Sequence, residues 1–324
     1  MKPLMRSLAF IAALLALATP LRAENYPERT VSVVVPYPAG GSVDGLARII
    51  TAYLNQALGS HFIVENRAGG AGGVVGANYV AKASPDGYAF LLTASIHVVT
   101  PFLNASVPYD VVKDFTPITL IADGPLLVST APTVPANTLK DLFALVRKDP
   151  DKFTFATSSY GSAGHLAIEL IKRDAGLSTT PVIAYKGAGP MLNDLMGGQI
   201  QLVADPMLSS LPLAQAGKIK ALAVTSPKRV ASMPDLPTVA EQGMPGFDFV
   251  SWYGLWGPKD LPRDIVLKLQ REVVKIVAMP EVKQRLEALG FQPIGSTPEF
   301  FAQYIASEMA KSAKIIKDAH IKTQ

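Results

Sequence analysis

The chain alternates between short apolar, β-branched runs and longer segments with helical spacing. Residues 31–35 (VSVVV) read as a strand. From 42 to 58 the apolar positions Leu46, Ile49, Ile50, Tyr53, Leu54 and Ala57 recur with the period of one helical face, and Gly59 ends the run. Residues 61–65 (HFIVE) and 88–93 (YAFLLT) predict two more strands. Between them, the glycine-rich stretch 68–76 leads into a small-residue helix through about Lys82, and Pro85-Asp86-Gly87 makes a turn.

A proline-rich region follows, in which 120–122 and 126–130 predict two strands flanking Asp123-Gly124-Pro125. The alternation then resumes. Helices are predicted at 139–147, 162–175, 190–196 and 208–216, and strands at 153–156, 182–185, 200–204 and 221–225. A second proline-rich stretch, 227–245, precedes a strand at 247–255, and helices at 263–277, 281–289 and 298–318 close the chain. This order predicts an α/β fold whose parallel sheets carry helices on both faces. The two proline-rich stretches are the expected crossings between two lobes. Residues 24–123 with 236–324 form domain 1, and 124–235 form domain 2.

Composition adds compartment and excludes several chemistries. The 324 residues are 49% apolar and 17% charged, enough for a large core. Lys2 and Arg6 precede a short apolar run, LAFIAALLAL, and Ala23 ends the stretch with a small residue. Residues 1–23 therefore read as a cleaved signal peptide, too short in its apolar part to span a bilayer. Export points to the periplasm. Loss of Lys2, Arg6 and Arg22 would lower the net charge from +4 to +1, so no basic excess suggests nucleic acid. The chain has no cysteine, which excludes disulfides, thiolate metal sites and cysteine nucleophiles.

The chemistry concentrates in two turns, each after a strand and each opening a helix. The first is Pro36-Tyr37-Pro38-Ala39-Gly40-Gly41-Ser42-Val43-Asp44, and the second is Thr157-Ser158-Ser159-Tyr160-Gly161-Ser162-Ala163-Gly164-His165. Such turns aim backbone N–H groups and the positive end of a helix dipole at one spot, which suits an anion. Each turn also has a purely structural reading, as a capped strand-to-helix connection. His165 is placed either to meet an anion or to steady its loop. Asp205 ends a strand in the second lobe and either faces a ligand or caps the helix that follows. Lys186 either pairs with a ligand carboxylate or is solvated. Ser95, just beyond the third strand, completes the set. The histidines His61, His97 and His320 lack metal-ligand spacing, and no cofactor is expected. Residues 69–76 miss a dinucleotide fingerprint because position 75 is Val75; they read as a tight crossing packed through small residues. Trp252, Tyr253 and Trp256 read as core or lobe contact.

Taken in order, several segments resemble one family. They are Tyr26-Pro27-x-Arg29, Val33-Val34-Val35-Pro36, Pro38-Ala39-Gly40-Gly41-x-x-Asp44, Val64-Glu65-Asn66-Arg67 with Gly69–Gly76, and Pro85-Asp86-Gly87-Tyr88. Further on come Gly161-Ser162-x-x-His165-Leu166-Ala167-x-Glu169, Tyr185-Lys186-Gly187, Ala221-Leu222-Ala223-Val224-Thr225-Ser226, Pro234-Asp235-x-Pro237-Thr238-Val239-x-Glu241 and Trp252-Tyr253-Gly254. The set is similar to the Bug-type extracytoplasmic solute receptors, the substrate-binding proteins of tripartite tricarboxylate transporters. The resemblance implies a two-lobed periplasmic binding protein of the Venus flytrap kind, monomeric, closing on a small carboxylate and delivering it to membrane permease subunits. It implies that the loop matching Pro38–Asp44 holds one carboxylate largely through backbone and water. The loop matching Ser158–Ser162 binds it directly. Tyr160, and Asp205-Pro206-Met207 in place of the family's Asp-Asn pair, depart from the pattern by adding bulk or apolar surface, which points to a longer or aromatic carboxylate. A sensor of the same ligand is the alternative; an α/β enzyme using Ser159 or Ser162 with His165 is a weaker one, for no third orienting group is apparent.

Overall fold

The computed structural model describes residues 26–59 and 61–323. The signal peptide expected at 1–23 lies outside them. The elements run β1 (Val31–Val35), α1 (Ser42–Leu58), β2 (Phe62–Asn66), a single 3-10 turn (Ala71–Gly73), α2 (Val74–Ala81), β3 (Ala89–Ala94), α3 (Ile96–Leu103) and β4 (Phe115–Thr130). Then come α4 (Leu139–Lys148), a second 3-10 turn (Pro150–Lys152), β5 (Phe155–Thr157), α5 (Ala163–Ala175), β6 (Val182–Ala184), α6 (Ala188–Met196), β7 (Leu202–Pro206), α7 (Met207–Gln215) and β8 (Lys220–Val224). The chain ends with β9 (Val250–Pro258), α8 (Arg263–Ala278), α9 (Pro280–Ala288), β10 (Gln292–Pro293) and α10 (Pro298–Asp318).

The strands are hydrogen-bonded in the order β2-β1-β3-β9-β4-β7-β5-β6, with β8 and β10 pairing to β4 off this path. The expectation of purely parallel sheets is corrected. β1 is parallel to β2 and β3, and β5 to β6 and β7, but β9 runs antiparallel to β3 and β4, and β4 antiparallel to β7 and β8. The two strands expected around Asp123-Gly124-Pro125 are likewise one strand of 16 residues. From Phe115 to Pro125, β4 pairs with β9; from Leu126 to Thr130 it pairs with β7 and β8. Glycine and proline do not break it because the partners change there. Gly124 also meets a close neighbour: a Cβ on it would stand 2.6 Å from the Gly290 carbonyl oxygen.

One apolar core joins β1, α1 and α8 through Val31, Val33, Leu46, Ile50, Leu269 and Val273. A second gathers Phe155, Leu166, Ile171, Met191, Leu202 and Val203 from β5, α5, α6 and β7. Trp252 and Trp256 are fully buried, packed against Phe301 of α10, so the aromatic cluster is core. The short helix α3 was not anticipated. It retains Pro101 inside, and the Thr100 hydroxyl donates to the Ile96 carbonyl at 2.7 Å.

Candidate functional site

The first loop is shaped by its own helix. α1 starts after Gly41, which offers no side-chain cap, so the amides of its first turn have no intrahelical acceptor. Asp44 does not cap the helix in the usual manner. Its carboxylate accepts the Gly40 N–H at 3.0 Å, the Arg48 Nε–H at 3.0 Å and the Asn66 Nδ2–H at 3.0 Å. The same Asn66 amide donates to the Tyr37 carbonyl at 3.1 Å, tying the loop to the end of β2. Gly40 takes φ +89°, a conformation suited to glycine. These bonds, led by those from Arg48 and Gly40, outweigh burial and hold the Asp44 carboxyl below the usual range. Tyr37 Oη and Thr93 Oγ1 are hydrogen-bonded at 2.7 Å, and burial keeps that phenol neutral.

The second loop is built the other way, with a side-chain cap. Ser162 caps α5: its Oγ accepts the His165 N–H at 3.2 Å and is hydrogen-bonded to Thr157 Oγ1 at 2.7 Å. Gly161 turns the chain at φ +79°, and its N–H donates to Nδ1 of His165 at 3.1 Å. The Ser158 carbonyl accepts the Gly187 N–H at 2.8 Å, which joins this loop to the one after β6. The hydroxyls of Ser158 and Ser159 make no hydrogen bond to a described residue. Tyr160 packs against the His165 ring, tilted by 38° with centroids 4.4 Å apart, and donates its hydroxyl to the Lys322 carbonyl at 2.6 Å.

Both loops open onto one cavity of about 890 Å³, within the usual size for a small-molecule site. Of the residues singled out in the sequence, Tyr37, Ala39, Gly40, Gly41, Ser42, Asp44, Ser95, Ser158, Ser159, Tyr160, Ser162, Lys186 and Asp205 line it. Gly161 and His165 do not. They belong to the second loop without lining the cavity, and burial pushes the imidazole down to about 4 and keeps it neutral. That ring accepts from Gly161, and Ser162 meets only the backbone N–H of His165. Among the described residues no serine hydroxyl engages the His165 ring, which leaves the nucleophile–base pair of the enzyme reading unformed.

Several lining residues escaped the sequence reading. Residues 68–73 face the cavity while also serving the tight crossing read from their glycines: a Cβ on Gly73 would fall 2.8 Å from Pro36 Cβ. Ser251 and Ser209 line it too, one from the start of β9 and one from α7. Neither sits in a motif. Only the helical offset from Asp205 to Ser209 gives a signal, and the Ser209 hydroxyl donates to that carboxylate. Tyr253 is fully buried near Ser42 and Ser251, and burial pushes its phenol up to about 12. Charge on the wall is sparse. Asp44 is paired with Arg48, Lys186 is exposed, and burial pushes Asp205 up to about 7. An anion in this cavity would be met chiefly by amides, hydroxyls and two helix N-termini rather than by cations.

Residues 46–321 match the family described as tripartite tricarboxylate transporter family receptor. The fold is similar to that of the periplasmic binding protein BugD, at 36% identity and a TM-score of 0.87, covering 92% of this chain and 100% of that one. Rpa4515 of R. palustris, solved with adipate, is 36% identical with a TM-score of 0.89 over 92% of this chain and 100% of its own. MatC of Rhodopseudomonas palustris, solved with bound malate, is 31% identical with a TM-score of 0.82 over 90% and 100%. The α/β architecture of this chain is that of a periplasmic binding protein.

Proposed function

The chain belongs to the tripartite tricarboxylate transporter family of receptors, as its ordered motifs implied, and from that premise we propose that it captures a small carboxylate in the cavity between its two glycine- and serine-rich loops. The observation that carries this reading is the convergence of both loops on one cavity, each opening a helix whose N-terminal amides suit an anion. Carboxylates held by the similar structures, adipate and malate, support a dicarboxylate, and tricarboxylates and aromatic acids stay within the class.

The protein of this family is exported, and this one works in the periplasm after losing 1–23. It acts as a monomer that hands its ligand to the permease subunits of a tripartite transporter. The lobes are 24–123 with 236–324, and 124–235. The ligand bridges them, and only contacts better in the closed form drive closure. Micromolar affinity corresponds to about −8 kcal/mol. That is within reach of a handful of charge-assisted hydrogen bonds of about 1.5–3 kcal/mol each, offset by the cost of closure.

A thermal-shift panel of mono-, di- and tricarboxylates and aromatic acids tests the proposal. A ligand that binds only the folded state raises the melting temperature by mass action. At least one carboxylate is expected to do so. A shift by phosphates or sugars alone would contradict the ligand class.

A further inference from the structure

Asp205 ends β7 at the cavity wall and is 1% exposed. One of its carboxylate oxygens accepts the Ser209 hydroxyl; the other, Oδ1, is buried without a hydrogen-bond partner. No lysine or arginine among the described residues is paired with it. The elements packed around it bring little charge. Leu127 of β4 lies opposite it in register. β5 contributes Phe155–Thr157, α7 contributes Ser209, and α6 opens with Ala188. The first turn of α5 abuts it so closely that a Cβ on Gly164 would stand 2.1 Å from the Ala204 oxygen. From β9 comes the Tyr253 phenol, on which both Asp205 and Asp123 of β4 act. Across the cavity, Asp44 is already paired with Arg48, and Lys186 is exposed to solvent.

The consequence is electrostatic. A ligand carboxylate held at the N-termini of α1 and α5 would share one cavity with this unpaired side chain. Two carboxylates sharing a desolvated wall with no cation between them do not both stay ionised. We infer that capture of a carboxylate takes up one proton, carried by Asp205, an inference that rests on the function proposed above. Burial has already brought the Asp205 carboxyl up to about 7 in the empty protein, so the proton is at hand near neutrality. Asp205 is then a selectivity device: as a neutral acid it admits an anion, and as a carboxylate it repels one.

Calorimetric titration of the purified protein with adipate, malate and benzoate tests this, from about pH 6 to about pH 9 and in buffers of different ionisation heat. These acids are ionised throughout that range. The expected result is proton uptake that grows from neutrality toward one proton by about pH 8, and a Kd that rises about tenfold per pH unit above that. Asp205→Asn is expected to bind with pH-independent affinity, close to the low-pH limit of the unmodified protein. Should that variant fail to fold, the proton count of the unmodified protein decides alone. A pH-independent Kd with no proton uptake would overturn the inference while leaving the carboxylate site standing. Absence of binding by every acid at every pH would overturn the functional reading itself.

Discussion

Nδ1 of His165 accepts the backbone N–H of Gly161 at 3.1 Å, within a loop that lines the cavity through its neighbours Ser158, Ser159, Tyr160 and Ser162. The imidazole has to be neutral to do so, and its burial keeps it so. His165→Ala leaves the Gly161 donor unpaired and removes the ring that Tyr160 packs against. The expected cost is about 1–3 kcal/mol of stability, with weaker carboxylate binding although no contact to ligand has been deleted. Thermal melting and titration of the variant check both.

His165 and Asp205 pull stability in opposite directions over one pH window. The folded His165 lies at about 4, below the ordinary value of 6.5, so its contribution is present above 6.5 and is lost as pH falls toward 4. Asp205 lies at about 7, above the ordinary value of 3.8, so its contribution is present below 3.8 and is lost as pH rises toward 7. Each pH unit of displacement corresponds to about 1.4 kcal/mol. Asp205→Asn should therefore show a steeper gain of stability from about pH 4 to about pH 6.5 than the unmodified protein. Denaturant melts across that range measure it.

Asp44→Ala separates charge from shape at the first loop. The substitution removes a negative charge from the cavity wall and frees Arg48, which on charge alone would tighten anion binding. It also releases the Gly40 N–H and the Asn66 amide that set the loop. Shape is expected to win, because the anion is held by oriented amides. The affinity for the best carboxylate should fall tenfold or more, about 1.4 kcal/mol per decade; a tighter Kd would contradict this.

Ser158→Ala combined with Ser162→Ala should weaken binding tenfold or more, by the same conversion. The two residues differ in how they act. Ser158 faces the cavity with an uncommitted hydroxyl, whereas Ser162 caps α5. Ser162→Ala alone should therefore lower stability by about 1 kcal/mol. Ser158→Ala should leave the melting temperature of the empty protein unchanged.

Both loops were legible in the sequence because glycine and serine between a strand and a helix have a local meaning. The long helices were legible from local pattern as well: the expected 298–318 matches α10, and α1 follows from its apolar spacing and Gly59; the short α3, with Pro101 inside it, did not show. What could not be read depends on distant partners. β4 continues through Gly124-Pro125 because β9, β7 and β8 share it, and local turn residues cannot report that. Ser251 and Ser209 reach the cavity only through sheet order and the helix after β7. His165 is explained by an acceptor geometry that spacing alone left open between ligand contact and loop support.

The central claim is that the two loops grip one carboxylate together. A crystal structure of the protein grown with adipate, or with the acid giving the largest thermal shift, tests it most directly. The account predicts a carboxylate group lying between the first-turn amides of α1 and the loop from Ser158 to Ser162. Ligand density elsewhere, as in the surface groove beside Arg29, Arg67 and Lys82, would contradict it.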